Sequence, residues 1–173
     1  MARIAWKDRK FEFNFPAELY PELIERLRGT PARVEDRVRD AAPAILTRRD
    51  GEKWSIQENI GHLLDLDDLF LGRLDDFDRG VATLRAADMT NQKTHRAEYN
   101  SQAIEDVLDR FRRKRMKAIA RLEKLSPAQF ERVALHPRLN KPMRVTDMLY
   151  FQAEHDDYHL ARISELIRLF SSS

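Results

Sequence analysis

At 173 residues the chain has room for one ordinary domain with short appendages. Hydrophobic residues at 42% and charged residues at 35% exclude a disordered chain, and 5 Gly with 7 Pro are too few for the turns of an all-β fold. Lys+Arg 31 against Asp+Glu 29 leaves +2, which argues against a dedicated nucleic-acid binder, and zero Cys removes disulfides, thiolate metal sites and cysteine nucleophiles.

Residues 1–15 predict an N-terminal arm. Phe11, Phe13 and Phe15 alternate with Glu12 and Asn14, and no partner strand is in sight. From Pro16 the period becomes helical through Tyr20, Leu23, Ile24 and Leu27. Gly29 interrupts, Thr30 can cap a restart with Pro31 at its first position, and Val34, Val38, Ala41 and Ile45 continue the apolar face. We read a first bundle helix kinked at Gly29. Asp50-Gly51 marks a turn.

Ser55-Ile56-Gln57-Glu58 has the form of a capping box, opening a second helix that runs to Arg79 with Gly80 as its stop. Val81 to Tyr99 has no period and reads as a long connection. A third helix is predicted over Ser101 to Leu125, and Ser126-Pro127 starts a short extra helix. Residues 131–145 read as a long irregular loop. Thr146 caps a fourth long helix to Phe170, leaving Ser171 to Ser173 as a tail. The expected architecture is all-α: one four-helix bundle over 16–170. No stretch resembles a signal peptide or a membrane span, so a cytoplasmic protein with no membrane partner is expected.

His155 and His159 stand i, i+4 on the apolar face of the fourth helix, with Met148, Gln152, Ile163, Leu166 and Phe170. Buried imidazoles need partners, either a metal or hydrogen bonds. In an up-down-up-down bundle the second and fourth helices run the same way. His62 then sits ~10 Å along its helix and the pair ~13–20 Å along theirs, about level. The helical wheel places His62 at the edge of its stripe.

Trp54-Ser55-Ile56-Gln57-Glu58 through His62-Leu63 resembles the W-S-x-x-E…H-L opening of the DinB/YfiT-like superfamily. Ala153 to Ile163 resembles its H-x-x-x-H segment on the last bundle helix. The resemblance implies an up-down-down-up or related bundle, often a homodimer. It also implies a three-histidine metal site with open positions, here His62, His155 and His159. The divalent transition metal would be zinc or nickel, with iron or manganese also suited. Such a site implies an enzyme activating a thiol or water, a thiol S-transferase or a hydrolase acting on a small molecule with a low-molecular-weight thiol as cosubstrate. The alternative is a non-catalytic metal-binding or interaction protein on the same bundle.

Glu58 and Asp65, one turn either side of His62, and Gln152, one turn before His155, are candidates to orient the rings, or ordinary helix-surface partners. Asp67, central in an apolar stripe, is expected to pair with Arg162. His136 and Arg138 lead a polar segment that suits an anionic substrate, or simply a solvated loop. Trp6 and Trp54 belong to the pocket wall or the core. The run Arg110 to Lys117 reads as a solvated or acid-paired helix face, and no nucleic-acid partner is expected.

Overall fold

A computed structural model of the protein describes residues 3–171; residues 1–2 and 172–173, including most of the expected tail, lie outside them. The helices are α1 (Tyr20–Arg28), α2 (Thr30–Val38), α3 (Pro43–Leu46), α4 (Ile56–Arg79), α5 (Gln92–Arg96), α6 (Ile104–Leu122), α7 (Pro127–Phe130) and α8 (Val145–Ser171). None is long and apolar enough to cross a membrane.

α1 and α2 meet at Gly29, as the interruption predicts, but Thr30 does not cap. It is the first residue of α2, and its hydroxyl turns inward to Asp156 at 2.8 Å. The first helix ends at Val38 rather than running on to Ile45. Ala42, held extended (ψ 135°) before Pro43, breaks it, because a residue preceding proline disfavours helix. α4 has the expected termini. Ser55 Oγ accepts from the Glu58 N–H, the Glu58 carboxylate accepts from the Ser55 N–H, and Gly80 (φ 64°) closes the helix in the left-handed region. Thr146 is no cap either. It is buried in the first turn of α8, donating to the carbonyls of Ala17 and Phe130.

The expected loop at 131–145 holds an antiparallel hairpin, β1 (Val133–His136) and β2 (Lys141–Arg144), paired from Val133↔Arg144 to His136↔Lys141. Asn140 turns it at φ 50°, a conformation asparagine tolerates. The connection 81–103 is docked too. The Leu84 N–H donates to the Leu135 carbonyl and the Leu135 N–H to the Ala82 carbonyl, and α5 lies against α4.

The helix directions differ from simple alternation. Thr146 meets Ala17 and Arg26 meets Glu154, so α1 and α8 run together. Gln57 meets the Gln102 carbonyl and Arg121 meets Asp75, so α4 and α6 also run together. Asn59 meets His159, while Leu74 and Phe77 pack beside Val145, so α4 opposes α8. The topology is up-down-down-up. The second and fourth long helices, α4 and α8, are thus antiparallel and not parallel as alternation predicts, yet His62 still comes level with His155 and His159.

Two apolar cores fill the bundle. One gathers Phe70, Leu74, Ile119, Leu122, Met148 and Leu149, and the other Ile60, Leu63, Val107, Phe111, Ile163 and Leu166. A polar belt lies between them along all three long helices: His62 and Asp67 on α4, Arg115 on α6, and His155, Asp156 and His159 on α8. Asp67 is fully buried, as its place in the stripe predicts, but its partner is Arg115, not Arg162. Arg115 Nη2 donates to Asp67 at 2.8 Å, Nη1 donates to Asp156 and to the Leu27 carbonyl, and all three charged side chains are 0% exposed. Arg162 instead reaches Asp50 at 2.7 Å and Glu165 at 3.1 Å, at the bundle surface.

Candidate metal centre

α4 and α8 bring His62, His155 and His159 to one point of the belt. One ring nitrogen from each lies within 4.8 Å of those of the other two, and each residue is buried. The ring centroids are 4.5 Å apart for His155–His159 and 4.9 Å for His62–His159. His62, at the edge of its stripe by the helical wheel, is buried because the first ten residues of α4 are buried all round.

Neighbouring groups fix two of the three tautomers. Thr94 Oγ1 donates its single proton to Asp65 Oδ2 at 3.0 Å, so His62 Nδ1, 3.2 Å away, must be the N–H that Thr94 accepts. Asn59 Nδ2 donates to the Ser55 carbonyl at 2.7 Å, which turns Oδ1 toward His159. His159 Nδ1, 2.8 Å away, is then a donor as well. Both rings keep an Nε2 lone pair for the interior. His155 Nε2 lies 3.2 Å from His159 Nε2. Burial pushes His62 down to about 4, helped by His95, and burial followed by neighbouring histidines holds His155 and His159 well below the usual imidazole range. The three rings are therefore neutral at pH 7, the ligand form for a transition metal.

Asp65 reaches the site through Thr94 and also accepts from the Tyr99 hydroxyl at 2.9 Å. Glu58 is taken up by the α4 cap and by Arg49, and Gln152 donates to Asp156 at 3.3 Å, so the hydrogen bonds of both go elsewhere. Sequence reasoning passed over Asn59 and Thr94. A buried asparagine three residues before His62 was a readable signal; Thr94 lies in a segment without period and gave none.

The Trp6 and His155 rings stand nearly perpendicular with centroids 4.8 Å apart, and the Trp54 and His62 centroids are 4.6 Å apart. Both tryptophans wall a cavity of about 510 Å³ onto which the three histidines open, with Leu69, Met89 and Arg138 among its other linings. The arm delivers Trp6 because Phe11 is buried beside Phe151 at 4.8 Å. His136 is buried at the end of β1, and Arg138 follows in the hairpin turn.

Tyr99 lies flat over Gly61. A Cβ there would meet the Tyr99 ring at 2.2 Å, so only glycine admits this approach. Gly61→Ala is expected to cost about 1–3 kcal/mol by overpacking and to weaken metal retention by displacing Asp65 and Thr94. Urea unfolding with metal titration checks it, and a variant as stable as the parent would contradict the packing argument.

The model of the DinB superfamily matches residues 26–163. Among solved structures, YfiT from Bacillus subtilis, described as a probable metal-dependent hydrolase with an unusual four-helix bundle topology, aligns with TM-score 0.77 and 21% identity over 94% of each chain. A Streptococcus pneumoniae protein aligns with TM-score 0.64 and 13% identity, over 95% of this chain and 93% of that one. Among curated proteins no sequence matches significantly. The colibactin self-resistance protein ClbS, solved in complex with dsDNA, aligns with TM-score 0.64 and 16% identity, over 85% of this chain and 94% of its own. That match corrects the expectation of no nucleic-acid partner. Net charge is a whole-chain sum, whereas DNA needs only a local patch, so near-neutrality excludes nothing for this fold. With the family's model spanning most of its length and the same bundle recurring in these structures, the chain belongs to the DinB superfamily.

Proposed function

We propose that His62, His155 and His159 hold a divalent transition metal, zinc or nickel before iron or manganese, and that the protein is a metal-dependent enzyme of hydrolase or thiol S-transferase type. The observation that carries this reading is the tautomer pattern. Three neutral imidazoles converge in the belt, and two of them are hydrogen-bonded at Nδ1 so that Nε2 faces inward. A structural core histidine needs no such convergence. The donor set suits zinc, nickel, iron or copper, and three ligands leave positions open.

The metal would supply Lewis acidity that makes a nucleophile of water or a thiol near neutral pH. The protein's own part is positioning. Asn59 and Thr94 hold the His159 and His62 rings, and Asp65 holds Thr94. Trp6 and Trp54 exclude bulk water from two sides and offer apolar walls to a substrate. With zero Cys in the chain, any thiol arrives from outside. On this reading the substrate is a small molecule and the setting cytoplasmic.

Elemental analysis of tag-free protein tests the proposal. Near one equivalent of a transition metal is expected in the parent, and none in His155→Ala or His159→Ala. A parent without metal even after reconstitution with zinc and nickel would overturn it.

A further inference from the structure

Three buried side-chain nitrogens lack a hydrogen-bond partner among the described residues: His136 Nε2, Arg138 Nη2 and His155 Nδ1. Buried polar groups are nearly always satisfied, and each exception calls for a cause. All three residues border one aromatic pair, Phe151 and Trp6. His136 lies 5.1 Å from the Phe151 ring and the Arg138 guanidinium sits 5.5 Å over it. Trp6 bridges Phe151, at 5.1 Å, to His155, at 4.8 Å.

Two of the three are donors. The Leu139 N–H donates to His136 Nδ1 at 3.2 Å, so the proton of the neutral ring sits on Nε2, and a guanidinium has only donors. Positive charge is uncompensated there as well. Among the described residues neither Arg138 nor the nearby Arg73 has a carboxylate within ion-pair distance, and Arg73 is 5% exposed. Asp76, the carboxylate whose charge acts on Arg73, is held by Arg85. Burial pushes His136 down to about 4 and Arg73 down to about 10, and Arg138 adds to both shifts. The other cations of the hairpin are engaged. Lys141 binds Glu12 and the Phe11 carbonyl, and Arg144 binds Asp147. Arg138 lines the same cavity as the three histidines.

We propose that Arg138 Nη2 and the His136 Nε2–H bind an oxyanionic group, carboxylate or phosphate, of the substrate that the three-histidine centre transforms, with Arg73 supplying a second positive charge. Donors without acceptors and cations without anions are answered together by one oxyanion. The apolar remainder of such a substrate would lie between Trp6, Trp54, Leu69 and Met89. The inference rests on the metal-centre reading for what the anion is presented to, but anion binding itself needs no metal.

Calorimetric titration of inorganic phosphate and of acetate tests it, on protein as isolated and after chelator treatment. At least one anion should bind both forms, and which one binds assigns the group. Arg138→Gln and His136→Gln should weaken binding tenfold or more, Arg138→Lys should do so less, and Lys141→Gln should leave it unchanged. Metal content should be intact in all four variants. Absence of binding by the chelator-treated parent, or equal binding by Arg138→Gln, would overturn the proposal. Anion binding that obeys this pattern in a protein that takes up no metal would instead sink the metal reading alone.

Discussion

Arg115→Met is expected to destabilise the protein by about 3–5 kcal/mol, because it leaves two buried carboxylates facing each other without their cation. The single guanidinium donates to Asp67 on α4, to Asp156 on α8 and to the Leu27 carbonyl on α1, so its loss uncouples α6 from three other elements at once. Thr30 and Gln152 also donate to Asp156 and cannot replace the lost charge. In a chain of this size that loss should lower the thermal midpoint by about 6–20 °C. Adding Asp67→Leu and Asp156→Leu should recover much of it, since an apolar cluster of similar volume often matches a buried ion network. Asp156 follows His155 directly, so the single variant should also hold metal more weakly. Urea unfolding of the three proteins decides the matter. A loss under about 1 kcal/mol in the single variant would mean that the belt is wetter than its burial indicates.

The second large effect is a loss of stability on mild acidification of the metal-free protein. His136 is 2% exposed, and burial with the adjacent Arg73 and Arg138 pushes it down to about 4. His62 reaches the same value, and His155 and His159 lie well below the usual range. The unfolded chain protonates its histidines near the ordinary ~6.5. From there down to about 4 these four histidines bind more protons in the unfolded state than in the folded one; Asp67, which burial pushes up to about 6, opposes them by at most one proton, so stability falls as pH falls. Each histidine contributes at most about 1.4 kcal/mol per pH unit inside that window. Thermal midpoints of chelator-treated protein between pH 7.5 and 5 should therefore decline, and His136→Gln should flatten the decline by one histidine's share. A flat profile would show that the imidazoles are already solvated in the folded protein.

The features read well from the sequence are local ones. α4 is legible because Ser55, Glu58 and Gly80 act within a turn of its ends, and the His155–His159 pair is legible because four residues on a helix make neighbours. What escaped depends on contacts across the chain. A run of cations from Arg110 to Lys117 looks like one solvated face. Only packing shows that Arg115 is fully buried while Arg113, four residues past its partner Asp109, stays exposed. Helix direction is not encoded by any period, and simple alternation predicts the wrong direction of α4 relative to α8. The hairpin was hidden by Pro137 and Pro142. Thr94 acquires its role only because the connection folds back over α4.

That connection follows from geometry. Two consecutive long helices that run the same way oblige the chain to return the whole length of α4, about 36 Å at 1.5 Å per residue. An antiparallel hairpin would need only a few residues there. The return strap carries Ala87 and Met89 to the cavity rim, and Thr94 and Tyr99 to the histidine side of α4. Its ends are pinned by Leu84 and Tyr99, both buried, while Met89 between them is 57% exposed. Between those two anchors the strap is a stretch of chain that can lengthen, shorten or change sequence beside the cavity while the helices keep their packing. The cavity's lining can change there as long as Leu84 and Tyr99 keep their places in the two cores.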